Sequence, residues 1–175
     1  MKPPDRLVIQ PLTASTFAEF GDVIEASSAY TFTINDGQAQ RFHDLARVDV
    51  STGGGHPIIS LVRSDPSHFP LIRSNVARHP LGSQAFIPQG DHPVLNVVAP
   101  TTADDTPGRL HAFLSNGCQG INYKRGVWHH PLIALNEITD FLVVDRGGAG
   151  DNCDVVQLDV GISIQTSDMQ PAQMR

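Results

Sequence analysis

"SQAFIPQGDHPVLNVVA" occupies residues 83–99. Two short apolar runs, 83–88 and 92–99, flank Gln89, Gly90 and Asp91. Runs of this length, closed by proline, glycine and aspartate, read as strands joined by tight turns. Within the first run Gln84 and Phe86 share one face, and Ala85 and Ile87 the other, because successive strand side chains alternate.

The pattern repeats outward in both directions. Further strands are predicted at 30–35, 41–50, 57–64, 109–115, 137–144 and 154–160. Asn35-Asp36-Gly37 is a hairpin signal, since these residues tolerate the left-handed backbone a tight turn needs. One short helix is predicted in "TASTFAEFG" (13–21), with Thr13 or Ser15 as N-cap, Phe17 and Phe20 on one face and Gly21 as the stop. About eight strands with short turns specify a mainly β protein, an antiparallel sandwich or jelly-roll barrel. The two sheets of such a fold enclose a cavity whose mouth can carry a polar site.

The 175 residues fit a single domain, 1–175, with a polar tail from about 165. Hydrophobic content of 40% and charged content of 17% suit a globular chain. The net charge of -6, without a Lys/Arg run, argues against a nucleic-acid partner. No apolar run is long enough to span a bilayer as a helix. The N-terminal "MKPPDRLVIQPL" lacks the apolar segment of a signal peptide. Two cysteines, Cys118 and Cys153, are too few for a disulfide framework, so a cytoplasmic protein is expected. No GxGxxG, phosphate-binding loop or GxSxG is present, which removes support for nucleotide binding and for serine-hydrolase chemistry.

Histidine is the residue type that carries candidate chemistry. Eight are spread along the chain, and imidazole serves both as acid/base near neutral pH and as a metal ligand. In "RHPLGSQAFIP" (78–88), His79 and Gln84 could share a cavity, or His79 could cap a turn with Gln84 in solvent. In "GINYKRGVWHHP" (120–131), alternation sends His129 and His130 to opposite faces, with Trp128 on the side of His130. In "RFHDLARVDV" (41–50), Arg41, His43 and Arg47 fall on one face, which suits a carboxylate ligand or a solvated edge. Arg63 and Arg146 are further carboxylate clamps, with Arg146 equally able to pair with Asp145 or Asp151.

"INDGQAQRFHDLA", "RHPLGSQAFIP", "GINYKRGVWHHPL" and "TDFLVVDRGGAGDNCD", in this order, resemble the ureidoglycolate lyase family. The resemblance runs from about Leu7 to Val160. It implies a cupin-like double-stranded β-helix, a homodimer, and cleavage of ureidoglycolate to glyoxylate and urea in allantoin degradation. It also makes "GVWHHP" similar to the second cupin motif and points to His129 as the inward ring. The first cupin motif normally supplies two histidines and a glutamate, whereas only His79 and Gln84 stand in the comparable stretch. No cofactor is required by the sequence. A divalent metal such as nickel on His79, Gln84 and His129 is the implied option, weakened because a neutral amide is a poorer ligand than a carboxylate.

On this resemblance His129 and His79 are the expected acid/base pair, and Arg63 or Arg146 binds the substrate carboxylate. Gln84, Asn35 and Tyr123 are candidates for the ureido group, with His43 and Trp128 as further substrate-binding residues, Trp128 as a wall. The competing expectations are a metal-dependent cupin enzyme of another class and a non-catalytic sensor of small acids such as glyoxylate.

Overall fold

The computed structural model describes residues 5–26, 31–165 and 168. The chain runs β1 (Asp5–Arg6), β2 (Ile9–Pro11), α1 (Ala14–Phe17), β3 (Gly21–Ile24), β4 (Thr31–Ile34), β5 (Ala39–Phe42), a 3-10 turn (Thr52–Gly54), β6 (His56–Ser64), β7 (Leu71–Arg78) and β8 (Gln84–Pro88). It continues through β9 (Val94–Ala99), β10 (His111–Leu114), β11 (Gly120–Tyr123), β12 (Trp128–His129), β13 (Ile133–Ala134), β14 (Thr139–Gly147) and β15 (Asp154–Ile164).

The order of pairing defines the architecture. β9 and β10 form an antiparallel hairpin; outward from it β8 pairs β11, β7 pairs β12 and β6 pairs β14, all antiparallel. These nested pairs are one long two-stranded ribbon wound on itself, so successive strands alternate between two sheets. One sheet has the order β1-β15-β7-β12-β9-β10-β2, with β13 also on β9, and the other β3-β11-β8-β14-β6. This is a double-stranded β-helix, the jelly-roll expected from the strand pattern.

β9 explains why "VLNVVA" is a continuous run. All six residues are buried, because both faces of its sheet are covered. Leu95 and Val97 pack with Leu71, Leu114, Ile133 and Ile164 on one side, and Val98 packs with Phe17, Phe20, Phe113 and Ile121 on the other. Burial of this much apolar surface, worth roughly 25 cal/mol per Å², holds the two sheets together.

Thr13 caps α1 in a box with Thr16, and both Phe17 and Phe20 are buried. The helix ends before the predicted Gly21 stop. Gly21 instead opens β3, where a Cβ would sit 2.1 Å from the Asn122 carbonyl oxygen. Residues 35–38 close the β4–β5 hairpin, with Asn35 and Asp36 both at φ 53, as the sequence predicts. The strand predictions need correction. The strand expected over 41–50 stops at Phe42, because Asp44 adopts φ 57. The eight-residue strand β7 lies where the sequence predicts none, as do β3 and β11. Among the described residues no helix is long and apolar enough to cross a membrane.

Candidate active site

A cavity of about 520 Å³ opens between the two sheets, lined by strands β6, β7, β8, β11, β12 and β14. Alternation along short segments selects its lining. On β7 and just beyond it Ala77 and His79 face the cavity, whereas Arg78 between them lies on the opposite face over the Trp128 ring, 4.6 Å from its centroid. On β12 His129 faces the cavity and Trp128 turns away to pack with Val76 and Ala99. The two histidine blocks are tied by a backbone bond: Gly126 N–H donates to the His79 carbonyl at 2.9 Å. Gly126 stands at φ 80, a turn conformation that glycine adopts without strain.

His129 is 5% exposed. Its ring stacks on Tyr123 at 4.4 Å between centroids and 12° between planes, and the His79 ring lies 5.4 Å away. Burial lowers the pKa of His129 to about 4, with smaller contributions from His79 and His130, opposed by the bond to Val127. The ring is therefore neutral at pH 7. Nδ1 of His129 donates to the Val127 carbonyl at 3.0 Å, and Nδ1 of His79 to the Asn152 carbonyl at 2.5 Å. A carbonyl only accepts, so each ring donates from Nδ1, and the neutral His129 ring leaves Nε2 as its basic atom. Burial also pushes the Tyr123 phenol far above its ordinary pKa. Its hydroxyl donates to Asn96 Oδ1 at 3.4 Å, so Tyr123 is a neutral platform for His129.

The structure brings together His129, His79, Gln84, Tyr123 and Arg63 and adds Ser60, Ser64, His130 and Asp145. His130 departs from the alternation argument: β12 ends at His129, so nothing forces His130 to the opposite face, and it lines the cavity too. Arg63 is 72% exposed and alternates to the outer face of its sheet, where Asp140 opposite it holds its guanidinium in two parallel bonds of 2.7 and 2.8 Å. That pairing raises the arginine pKa and lowers that of the carboxyl.

Four predicted residues lie elsewhere. Arg146 is buried, donates to the carbonyls of Thr52 and Ala149, and fills space left by Gly55 and Gly82, so it fastens a loop. Asn35 sits in the hairpin turn. His43 follows the end of β5 and packs its ring 5.6 Å from Phe32. Trp128 is 2% exposed and belongs to the core. The sequence reading weighed Asp145 only as a partner for Arg146. The missed signal was alternation along "TDFLVVD", which puts Asp145 on the same face as buried Thr139, Phe141 and Val143.

Two imidazoles and the carboxamide of Gln84 are a weak donor set for a divalent ion. Among the described residues no three His, Cys, Asp or Glu side chains are grouped to hold a metal. The expected metal ligands thus do not fit a tight metal centre.

A family model described as ureidoglycolate lyase matches residues 4–165. A ureidoglycolate lyase of Burkholderia mallei (strain NCTC 10229) is 53% identical over 146 residues, 83% of this chain and 85% of that protein. One from Pseudomonas fluorescens (strain Pf0-1) is 53% identical over 148 residues, 85% of this chain and 89% of that protein. Among solved structures, a dTDP-4-dehydrorhamnose 3,5-epimerase from Elizabethkingia anophelis NUHP1 aligns with a TM-score of 0.49 and 14% identity, over 85% of this chain and 84% of that one.

Proposed function

The chain belongs to the ureidoglycolate lyase family, and from that premise we propose that its cavity cleaves ureidoglycolate to glyoxylate and urea by side-chain acid/base chemistry. The observation that carries the reading is the buried His129, neutral at pH 7 with Nε2 free to accept, beside a second imidazole 5.4 Å away.

Ureidoglycolate is a carbinolamine: one carbon bears a hydroxyl, a carboxylate and the ureido nitrogen. Nε2 of His129 takes the hydroxyl proton. The oxygen's electrons form the aldehyde carbonyl of glyoxylate, and the C–N bond breaks. The proton taken up by His129 passes through Nε2 of His79 to the departing nitrogen, which leaves as urea. Neither a nucleophile nor an oxidant is needed. Burial of His129 serves this step because a desolvated base forms stronger contacts with the hydroxyl than it would in water. No step is routed through a metal.

Arg63 is the one guanidinium lining this cavity among the described residues. In this reading its guanidinium swings from the outer face around the edge strand β6 to meet the substrate carboxylate at the mouth. The exchange costs little, since an exposed pair such as Arg63–Asp140 is held weakly. Gln84 contacts the ureido group, and Tyr123 holds the His129 ring. A homodimer is part of the same reading. β6 pairs only with β14 among the described residues and exposes Ile59 at 72% and Leu61 at 74%, a free apolar edge that a second copy would cover. A cytoplasmic setting suits the two exposed free cysteines.

Product analysis tests the assignment. Ureidoglycolate should yield glyoxylate and urea in equal amounts above the spontaneous rate, without ammonia, and a chelator should leave the rate unchanged. Ammonia as the nitrogen product, or no glyoxylate above background, overturns it.

A further inference from the structure

Among the described residues the cavity holds a carboxylate that neither the proton transfers nor the anion capture above uses. Asp145 lines it on β14. Its Oδ2 accepts a bond from Gln84 Nε2 at 3.3 Å, and its Oδ1 is buried without a hydrogen-bond partner. A buried acceptor left unmade is costly to the fold. A carboxylate accepts and does not donate, so Oδ1 is matched by a ligand rich in N–H groups. A ureido group supplies three: one on the internal nitrogen and two on the terminal one. Gln84 reinforces the match, because its N–H faces Asp145 and its own carbonyl oxygen remains as a second acceptor.

Charge separation gives the same orientation. Arg63 and Asp145 belong to the two paired strands of one sheet; Arg63 lies opposite Asp140, five residues along β14 from Asp145, so it starts on the outer face and reaches the cavity mouth around the edge strand β6. A substrate with a carboxylate at one end and an amide at the other is attracted by the cation at the rim and repelled, at its carboxylate, from Asp145.

We propose that Asp145 is the specificity-determining residue of the site, accepting the N–H groups of the ureido moiety and turning the substrate carboxylate toward Arg63. This rests on the lyase reading for the identity of the ligand. It displaces Asn35, in the distant hairpin turn, and Tyr123, whose hydroxyl is spent on Asn96.

The test uses two unreactive acids that differ only at the terminal group. N-carbamoylglycine keeps the terminal NH2, and N-acetylglycine replaces it with a methyl group. Calorimetry on the full chain should show wild type preferring the carbamoyl compound by roughly 10- to 100-fold, the range of a charge-assisted hydrogen bond. Asp145→Asn should bring the two affinities within about threefold, with N-acetylglycine binding little changed. Because the carboxylate has an unmet oxygen, the variant should melt no lower than wild type, whereas removing a structural partner would lower Tm. Wild type with no preference, or Asp145→Asn keeping it, overturns the proposal while leaving the lyase reading to stand on its products. Equal production of glyoxylate and urea failing in wild type, with the preference intact, overturns the lyase reading instead.

Discussion

The two walls of the cavity are built differently. The wall made by β11 and β12 is dry: His129, Tyr123 and the neighbouring Trp128 are all at most 5% exposed. The wall made by β6 is wet: it is an edge strand exposed along nearly its whole length, and its charged pair Arg63–Asp140 faces solvent. Burial fixes a ring, selects its tautomer and keeps it neutral, which is what a proton acceptor needs. Exposure leaves an arginine weakly held and free to exchange partners, which is what capture of an anion needs. Chemistry and capture are therefore assigned to different parts of the lining, and substitutions should separate them.

The largest effect is expected on the dry wall. His129→Ala should lower kcat/KM on ureidoglycolate by about 10²- to 10⁴-fold, the usual worth of a positioned acid/base, with an unchanged circular dichroism spectrum. A value within threefold of wild type would break the division.

Tyr123 sharpens it. Tyr123→Phe keeps the stacked platform and should leave kcat within about threefold. Tyr123→Leu removes the ring from His129 and should lower kcat roughly tenfold, through misplacement of the base. Equal effects of the two variants would mean that the hydroxyl, not the stacking, matters.

Smaller changes are expected on the wet wall, in KM and not in kcat. Arg63→Met should raise KM by roughly tenfold, the scale of one charged contact in partly solvated surroundings. Asp140→Asn releases Arg63 from its competitor and should lower KM by about twofold, an effect that added salt removes. A fall in kcat for Arg63→Met with KM unchanged would place Arg63 in the chemistry and undo the contrast.

Much of this arrangement was legible in the sequence, and the exceptions have local causes. "VLNVVA" and "SQAFIP" read as strands because burial on the two faces leaves its mark directly in their composition. "LIRSNVAR" hid β7, since its partners β12 and β15 are distant in sequence and Arg78 is accommodated only by Trp128 beneath it and by ion pairs to Asp105 and Asp154. The basic face expected from Arg41, His43 and Arg47 dissolved at Asp44, where one left-handed residue ends the alternation. Arg146 looked like a clamp because sequence does not reveal the carbonyls of Thr52 and Ala149 waiting for it. The pairing of His79 with His129 came from family resemblance, as spacing alone leaves 49 intervening residues unexplained; the nested ribbon is what closes that distance.

One imidazole of the cavity, His129, is kept neutral and dry. With its folded pKa below the ordinary 6.5, His129 binds a proton less readily in the folded chain than in the unfolded one. The stability this group contributes is present above pH 6.5 and is lost as the pH falls toward 4, at up to about 1.4 kcal/mol per pH unit. The direct measurement is the NMR titration of the His129 ring in the free protein, with His129→Ala identifying its signal. The account predicts a neutral, Nδ1-protonated ring with a midpoint near 4. A midpoint near 6.5, or an Nε2-protonated tautomer, would show a solvated or reversed ring and would contradict it.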